Sequence, residues 1–209
     1  MSKDIMQKLA EGRQYRDMAA LEKTGDEKIV EGYATTFDSP YQLYAEDGYR
    51  VLEQVDKRAF DEADMADVIM QYDHAGRVFA RGSNGTLTLN TDDHGLHIRA
   101  DLGGTEAGRQ LYDEIAGGYT TKMSFGFKVN EDTRTITEDR ENNVVTVLRT
   151  ITKIGKLYDV SAVSLPANDG TSISARNLGE GIIAEAKEEI RKRKEREEHI
   201  NRIKAMLED

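Results

Sequence analysis

The sequence predicts an α+β protein: a mainly antiparallel, barrel-like β domain with a few embedded helices and a long C-terminal helix. Three observations predict it. Short runs of β-branched and aromatic residues recur between positions 28 and 170, separated by turn signals. A capped helical run, 105–116, is inserted between two of them, which favours α+β over a pure sandwich. Beyond Ile182 the apolar residues fall at roughly helical intervals among dense charge.

In chain order, the segment to Thr24 has apolar residues at Ile5, Leu9, Met18 and Leu21 without a sustained period, and reads as a weak helix or a loose arm. Residues 28–37 (KIVEGYATTF) read as a strand that stops at Asp38-Ser39-Pro40. Residues 58–65 read as a short helix. Val68-Ile69-Met70 then begins a strand running into Tyr72-Asp73-His74, with Ala75-Gly76 turning the chain. A meander follows: a strand at 78–80, a turn at Gly82-Ser83-Asn84-Gly85, a strand over 86–90, a turn at 91–95 and a strand over 96–102. The helix after Thr105 runs through Leu111, Ile115 and Ala116 and is stopped by Gly117-Gly118. Further strands are predicted at 122–129, 144–154 and 157–165. Pro166 closes the last, because its ring cannot serve a central ladder. In the tail, Ile182, Ile183, Ala186, Ile190, Ile200, Ile203 and Leu207 make a thin stripe around the charged block 188–198. Such a stripe suits a partner or a coiled coil better than a buried core. The expected division is an arm over 1–27, a β domain over 28–170, and a linker with a charged helix over 171–209.

Composition narrows the function. The 209 residues include no cysteine, which removes disulfides, thiolate metal sites and a cysteine nucleophile together. Lys and Arg number 29 against 39 Asp and Glu, a net charge of −10, which argues against a general nucleic-acid binder. Residues 1–30 hold six acids and six bases and residues 180–209 nine acids and eight bases, so 31–179 carries −9. No apolar stretch reaches membrane-spanning length, and the charged opening 1–6 lacks the apolar segment of a secretory signal.

With cysteine gone, catalysis would need a hydroxyl nucleophile, paired carboxylates or a metal. His199 lies in the charged tail, His94 in an Asp-Asp-His-Gly turn, and His97 alternates with Leu96 and Ile98 towards solvent. None of them belongs to a metal-ligand pattern, so no metal and no cofactor is expected. His74 closes a run that reads as a buried strand. It is either a general base held by the scaffold or a histidine satisfied by a backbone partner. Ser124 lies in Lys122-Met123-Ser124-Phe125-Gly126-Phe127, sharing a face with Gly126. A small hydroxyl there either serves close strand packing or leaves room for a substrate backbone. Asp159 sits in the strand-like run Leu157-Tyr158-Asp159-Val160-Ser161. Either something pairs with it, or it faces water opposite Val160.

These segments together resemble the tailed-phage prohead (capsid maturation) serine proteases, whose fold is similar to that of the herpesvirus assemblin proteases. The resemblance covers most of 28–170. It rests on Glu31-Gly32-Tyr33-Ala34 with Phe37, the stretch 55–60, and Asp73-His74. The most specific parts are Met123-Ser124-Phe125-Gly126-Phe127 and Tyr158-Asp159-Val160-Ser161 with Leu165-Pro166-Ala167-Asn168. The family usually has glutamate where Asp159 stands, and a glycine that the stretch Lys57-Arg58-Ala59-Phe60 lacks. The resemblance implies Ser124 as nucleophile, His74 as general base and Asp159 as orienting carboxylate. It further implies an endopeptidase that cleaves the major capsid protein precursor or a scaffold protein, and itself, in the host cytoplasm inside the assembling prohead. A second copy in a homodimer is a further candidate partner, and the charge and hydropathy above leave nucleic acid and membrane out of the expected partners. From a different class comes a non-catalytic capsid-assembly or scaffolding protein, whose β domain docks and whose helix binds coat protein. Time-dependent fragments that vanish on Ser124→Ala separate the two.

Overall fold

The computed structural model describes residues 3–24, 27–163 and 173–208. In chain order the elements are α1 (Lys3–Ala10), β1 (Gln14–Ala20), β2 (Glu22–Thr24), β3 (Ile29–Thr36), β4 (Tyr41–Glu46), β5 (Tyr49–Val55), β6 (Ile69–Tyr72) and β7 (Ala75–Arg81). A single 3₁₀ turn at Gly82–Asn84 leads to β8 (Leu87–Thr91), β9 (Gly95–Asp101), α2 (Glu106–Ala116), β10 (Lys122–Asp139), β11 (Val144–Val163) and α3 (Ile173–Glu208). The α+β class holds. The barrel does not close: one sheet runs β1-β10-β11-β5-β4 with β6 and β7 branching from β11, and the other runs β2-β3-β9-β8.

The long hairpin β10–β11 organises the first sheet. Its turn is shaped by Asp139, whose carboxylate accepts the Glu141 and Asn142 backbone N–H groups at 3.1 Å each. One edge of β11 is paired with β10 along its length, while the other pairs in parallel with β5 over its first half and with β6 near its end. The sequence reading split β11 at Gly155. The strand instead runs through it, because Gly155 is a point of close approach: a Cβ there would meet the Asn130 side chain at 2.3 Å, beside shifts in the β10–β11 register. The expected closure at Leu165-Pro166-Ala167-Asn168 lies outside the described residues.

Residues 58–65 form no helix. They make successive tight turns (Ala59 N–H to Asp56 O, Asp61 N–H to Arg58 O, Ala63 N–H to Phe60 O), after which Asp64 is drawn into a bridge with Lys156. The helix α2 starts as expected, with the Thr105 hydroxyl accepting the Gly108 N–H at 2.9 Å. Residues 14–24, read as part of an arm, are strands: β1 pairs with β10 and β2 with β3.

The main core lies between the sheets and α2, around Phe125, Phe127, Met70, Ile98, Leu111 and Val160. A second cluster overturns the reading of the tail. Ala175, Ile182, Ile183 and Ala186 of α3 pack on Leu43, Tyr44, Val51 and Val147, and Gly179 lets the helix lie against the Tyr44 ring. From residue 191 to residue 207 the helix is exposed.

Candidate active site

Strand alternation sets up the site. On β10, Met123, Phe125 and Phe127 are fully buried in the core, and Phe125 and Phe127 stack at 4.5 Å. Ser124 and Gly126 face the other way. Across the ladder, Ser124 pairs with Ser161 and Gly126 with Asp159, so these four residues make a square patch on one face. His74 reaches that patch from the neighbouring strand. The parallel pairing of β6 with β11 sets Asp159 beside Ile69 and Ala162 beside Tyr72, and the Asp73 N–H donates to Ala162 O at 2.9 Å.

The turn itself differs from the sequence reading. Ala75 and Gly76 do not turn the chain; they open β7. The turn is Asp73-His74, between paired Tyr72 and Ala75, with both residues at positive φ, 48° and 58°. Such two-residue hairpin loops demand left-handed backbone at both positions, and Asp and His are among the non-glycine residues that tolerate it. The strained geometry turns the imidazole back over the patch.

The three side chains singled out in the sequence meet there. His74 Nδ1 lies 2.5 Å from Asp159 Oδ1, and His74 Nε2 lies 2.7 Å from Ser124 Oγ. With Nδ1–H donating its hydrogen bond to the carboxylate, Nε2 is left free to accept from the serine hydroxyl. Ser124 is completely buried, Asp159 is 1 % exposed and His74 8 %.

Several neighbours were not legible in the sequence. The Tyr15 ring packs on the imidazole with centroids 4.2 Å apart. Arg13 lies over the Tyr158 ring at 3.7 Å, with Nη1 3.8 Å from Asp159 Oδ2. Lys8 Nζ donates to His74 O at 3.0 Å. These three come from the N-terminal segment, which has no periodicity to announce them. Ser161 donates its hydroxyl to Asp159 Oδ1 at 2.8 Å. Its position two residues after Asp159 on one strand was the available signal.

The N-terminal cover is anchored by a buried ionic network. Arg16 of β1 holds Glu53 of β5 through Nε and Nη2, at 2.5 and 3.0 Å, and Arg149 Nη1 reaches the same carboxylate at 2.5 Å. The Tyr41 hydroxyl donates to it as well. Burial alone would raise the Glu53 carboxyl; the charge and hydrogen bonds of Arg16, with Arg149 and Tyr41, overcome this and hold it at about 2. Burial and the Glu53 charge push the Tyr41 phenol well above its ordinary range.

The remaining histidines lie elsewhere. His94 and His97 flank the Tyr33 ring, at 4.5 and 5.1 Å between centroids, and His199 is exposed on α3. Among the described residues no group of three or more His, Asp or Glu side chains could hold a metal ion. A groove of about 400 Å³ between β7 and α2 is lined by Tyr72, Phe79 and Leu111. Since Tyr72 pairs with Ala162, this groove opens on the core face of the sheet, away from the Ser124 patch.

A buried serine joined through histidine to a carboxylate is the arrangement of a serine hydrolase. The chain belongs to the caudovirus prohead serine protease family, whose model matches residues 15–182. It is thus a serine peptidase with a role in capsid maturation, and the non-catalytic scaffold reading falls away. No curated protein and no solved structure matches it. No helix among the described residues is long and apolar enough to cross a membrane.

Proposed function

We propose that this peptidase cuts the capsid protein precursor or a scaffold protein, and itself, inside the assembling prohead, with Ser124, His74 and Asp159 as its catalytic unit. The observation that carries the reading is the continuous line Asp159–His74–Ser124, with contacts of 2.5 and 2.7 Å. Ser124 Oγ attacks the scissile carbonyl as His74 Nε2 takes its proton. Asp159 keeps the imidazole in the reactive tautomer and stabilises the imidazolium. His74 then returns the proton to the leaving amine, and a water activated by the same nitrogen releases the acyl group from Ser124. Chain order supports an independent origin of the unit: histidine, serine, carboxylate is the order of none of the chymotrypsin, subtilisin or α/β-hydrolase sites.

The test is co-expression with the coat-protein precursor, followed on a gel. Wild type should yield fragments that accumulate with time, and Ser124→Ala none. Fragments forming at the wild-type rate with Ser124→Ala would refute the assignment.

A further inference from the structure

The two oxygens of Asp159 are treated unequally. Oδ1 faces His74 Nδ1 at 2.5 Å and accepts the Ser161 hydroxyl at 2.8 Å. Oδ2 is buried with no hydrogen-bond partner among the described residues, and the guanidinium of Arg13 stands 3.8 Å away. An aspartate has a soft, broad terminal torsion, so the carboxylate plane can swing and carry its oxygen off His74 at small intrinsic cost. Something must hold the plane.

We propose that Ser161 is a positioning residue of the reaction: its hydroxyl pins the plane of the Asp159 carboxylate so that an oxygen stays on His74 Nδ1. The inference rests on reading His74, Ser124 and Asp159 as the catalytic unit. Three features place Ser161 for this task. It follows Asp159 by two residues on β11, so both side chains stand on one face. It pairs across the ladder with Ser124, so its backbone is held beside the nucleophile. It is also completely buried, which leaves bulk water no easy access to replace its hydrogen bond. A buried carboxylate needs hydrogen-bond donors, and of the two that reach Asp159 Oδ1 Ser161 is the one that is not itself a reacting group. Ser161 gains and loses no proton; it acts only through Asp159.

The test compares Ser161→Thr and Ser161→Val in the full chain, two side chains of equal shape of which only the first keeps a hydroxyl. Steady-state cleavage of the coat-protein precursor is the readout. Ser161→Thr should retain most of kcat, while Ser161→Val should lose about ten- to a hundredfold in kcat with KM unchanged. Ser161→Ala removes the hydroxyl without adding volume and should lose a similar factor, which covers the case in which valine disturbs folding. In an Asp159→Asn background, Ser161→Ala should cost little more, because its route of action is already broken. Equal rates for the threonine, valine and alanine variants, or a change in KM alone, overturn the proposal. Ser124→Ala run alongside separates the two claims. If Ser124→Ala is inactive and Ser161→Ala matches wild type, only the role of Ser161 fails. If Ser124→Ala is fully active, the catalytic reading fails and takes this one with it.

Discussion

Gly126 faces Asp159 across the β10–β11 ladder, and a Cβ at position 126 would come within 2.4 Å of Asp159 Oδ2 and 2.8 Å of the Tyr15 ring. The glycine vacates the space into which the carboxylate folds on its way to His74. Gly126→Ala should therefore displace Asp159 rather than strain the backbone. Displacements near 1 Å in such sites cost about a hundredfold in rate. Cleavage kinetics beside a melting curve check this: a fall in kcat with the fold retained is expected, and wild-type kcat would contradict it.

Asp159→Asn keeps the shape of the side chain but removes its charge. Asparagine can present its amide N–H to Nδ1, stabilising the wrong tautomer and leaving a proton on Nε2. Turnover should fall by up to about 10⁴-fold while folding is preserved, the loss that the same change causes in a Ser-His-Asp triad. Wild-type processing would reduce Asp159 to a packing residue.

The Glu53 network makes an acid-sensitive contribution to stability. The carboxyl has an ordinary value of 4.5 and is held at about 2 in the folded chain. A depressed folded value means stability that is fully present above the unfolded value and is lost as pH falls towards the folded one. The shift corresponds to roughly 3 kcal/mol at neutral pH, lost between about pH 5 and pH 2. Denaturant unfolding across that window should show a shallower pH slope for Glu53→Gln. At neutral pH that variant should be less stable by about 3–5 kcal/mol, since it leaves Arg16 buried without its counter-charge, while Arg149 keeps Asp132 at 2.7 Å.

The two halves of α3 should respond differently to truncation. Truncation from residue 191 takes away helix that is exposed over 191–207, so the melting transition should stay where it is. Ile182→Ala empties part of the cluster on Leu43, Tyr44 and Val51 and should cost about 2–5 kcal/mol. Equal, negligible effects of both changes would show that the whole helix is an appendage.

What the sequence revealed and what it concealed have physical reasons. Ser124 and Asp159 stood out because strand alternation isolates a polar residue among apolar ones. The same alternation carried the signal for Ser161 and Gly126, two residues further along each strand. His74 stood out too, but its turn was misplaced by two residues: Ala75-Gly76 has the stronger turn composition, whereas Asp73-His74 turns because two polar residues tolerate positive φ. Ile182, Ile183 and Ala186 of α3 were visible as part of the stripe, but their seat on the β domain was not, because Ala175 and Gly179 complete the contact as small residues that allow close approach without adding to an apolar stripe. The contacts of Lys8, Arg13 and Tyr15 depend on how the N-terminal segment crosses the sheet. No local pattern encodes that.

The central claim is that Ser124 and His74 act as one unit, and a double-mutant cycle on kcat tests it most directly. Ser124→Ala, His74→Ala and the double variant are compared on the coat-protein precursor, with folding verified for each. Each single change should abolish nearly all turnover, and the double variant should be hardly slower than either one. Losses that multiply, or substantial turnover surviving in Ser124→Ala, would contradict the account.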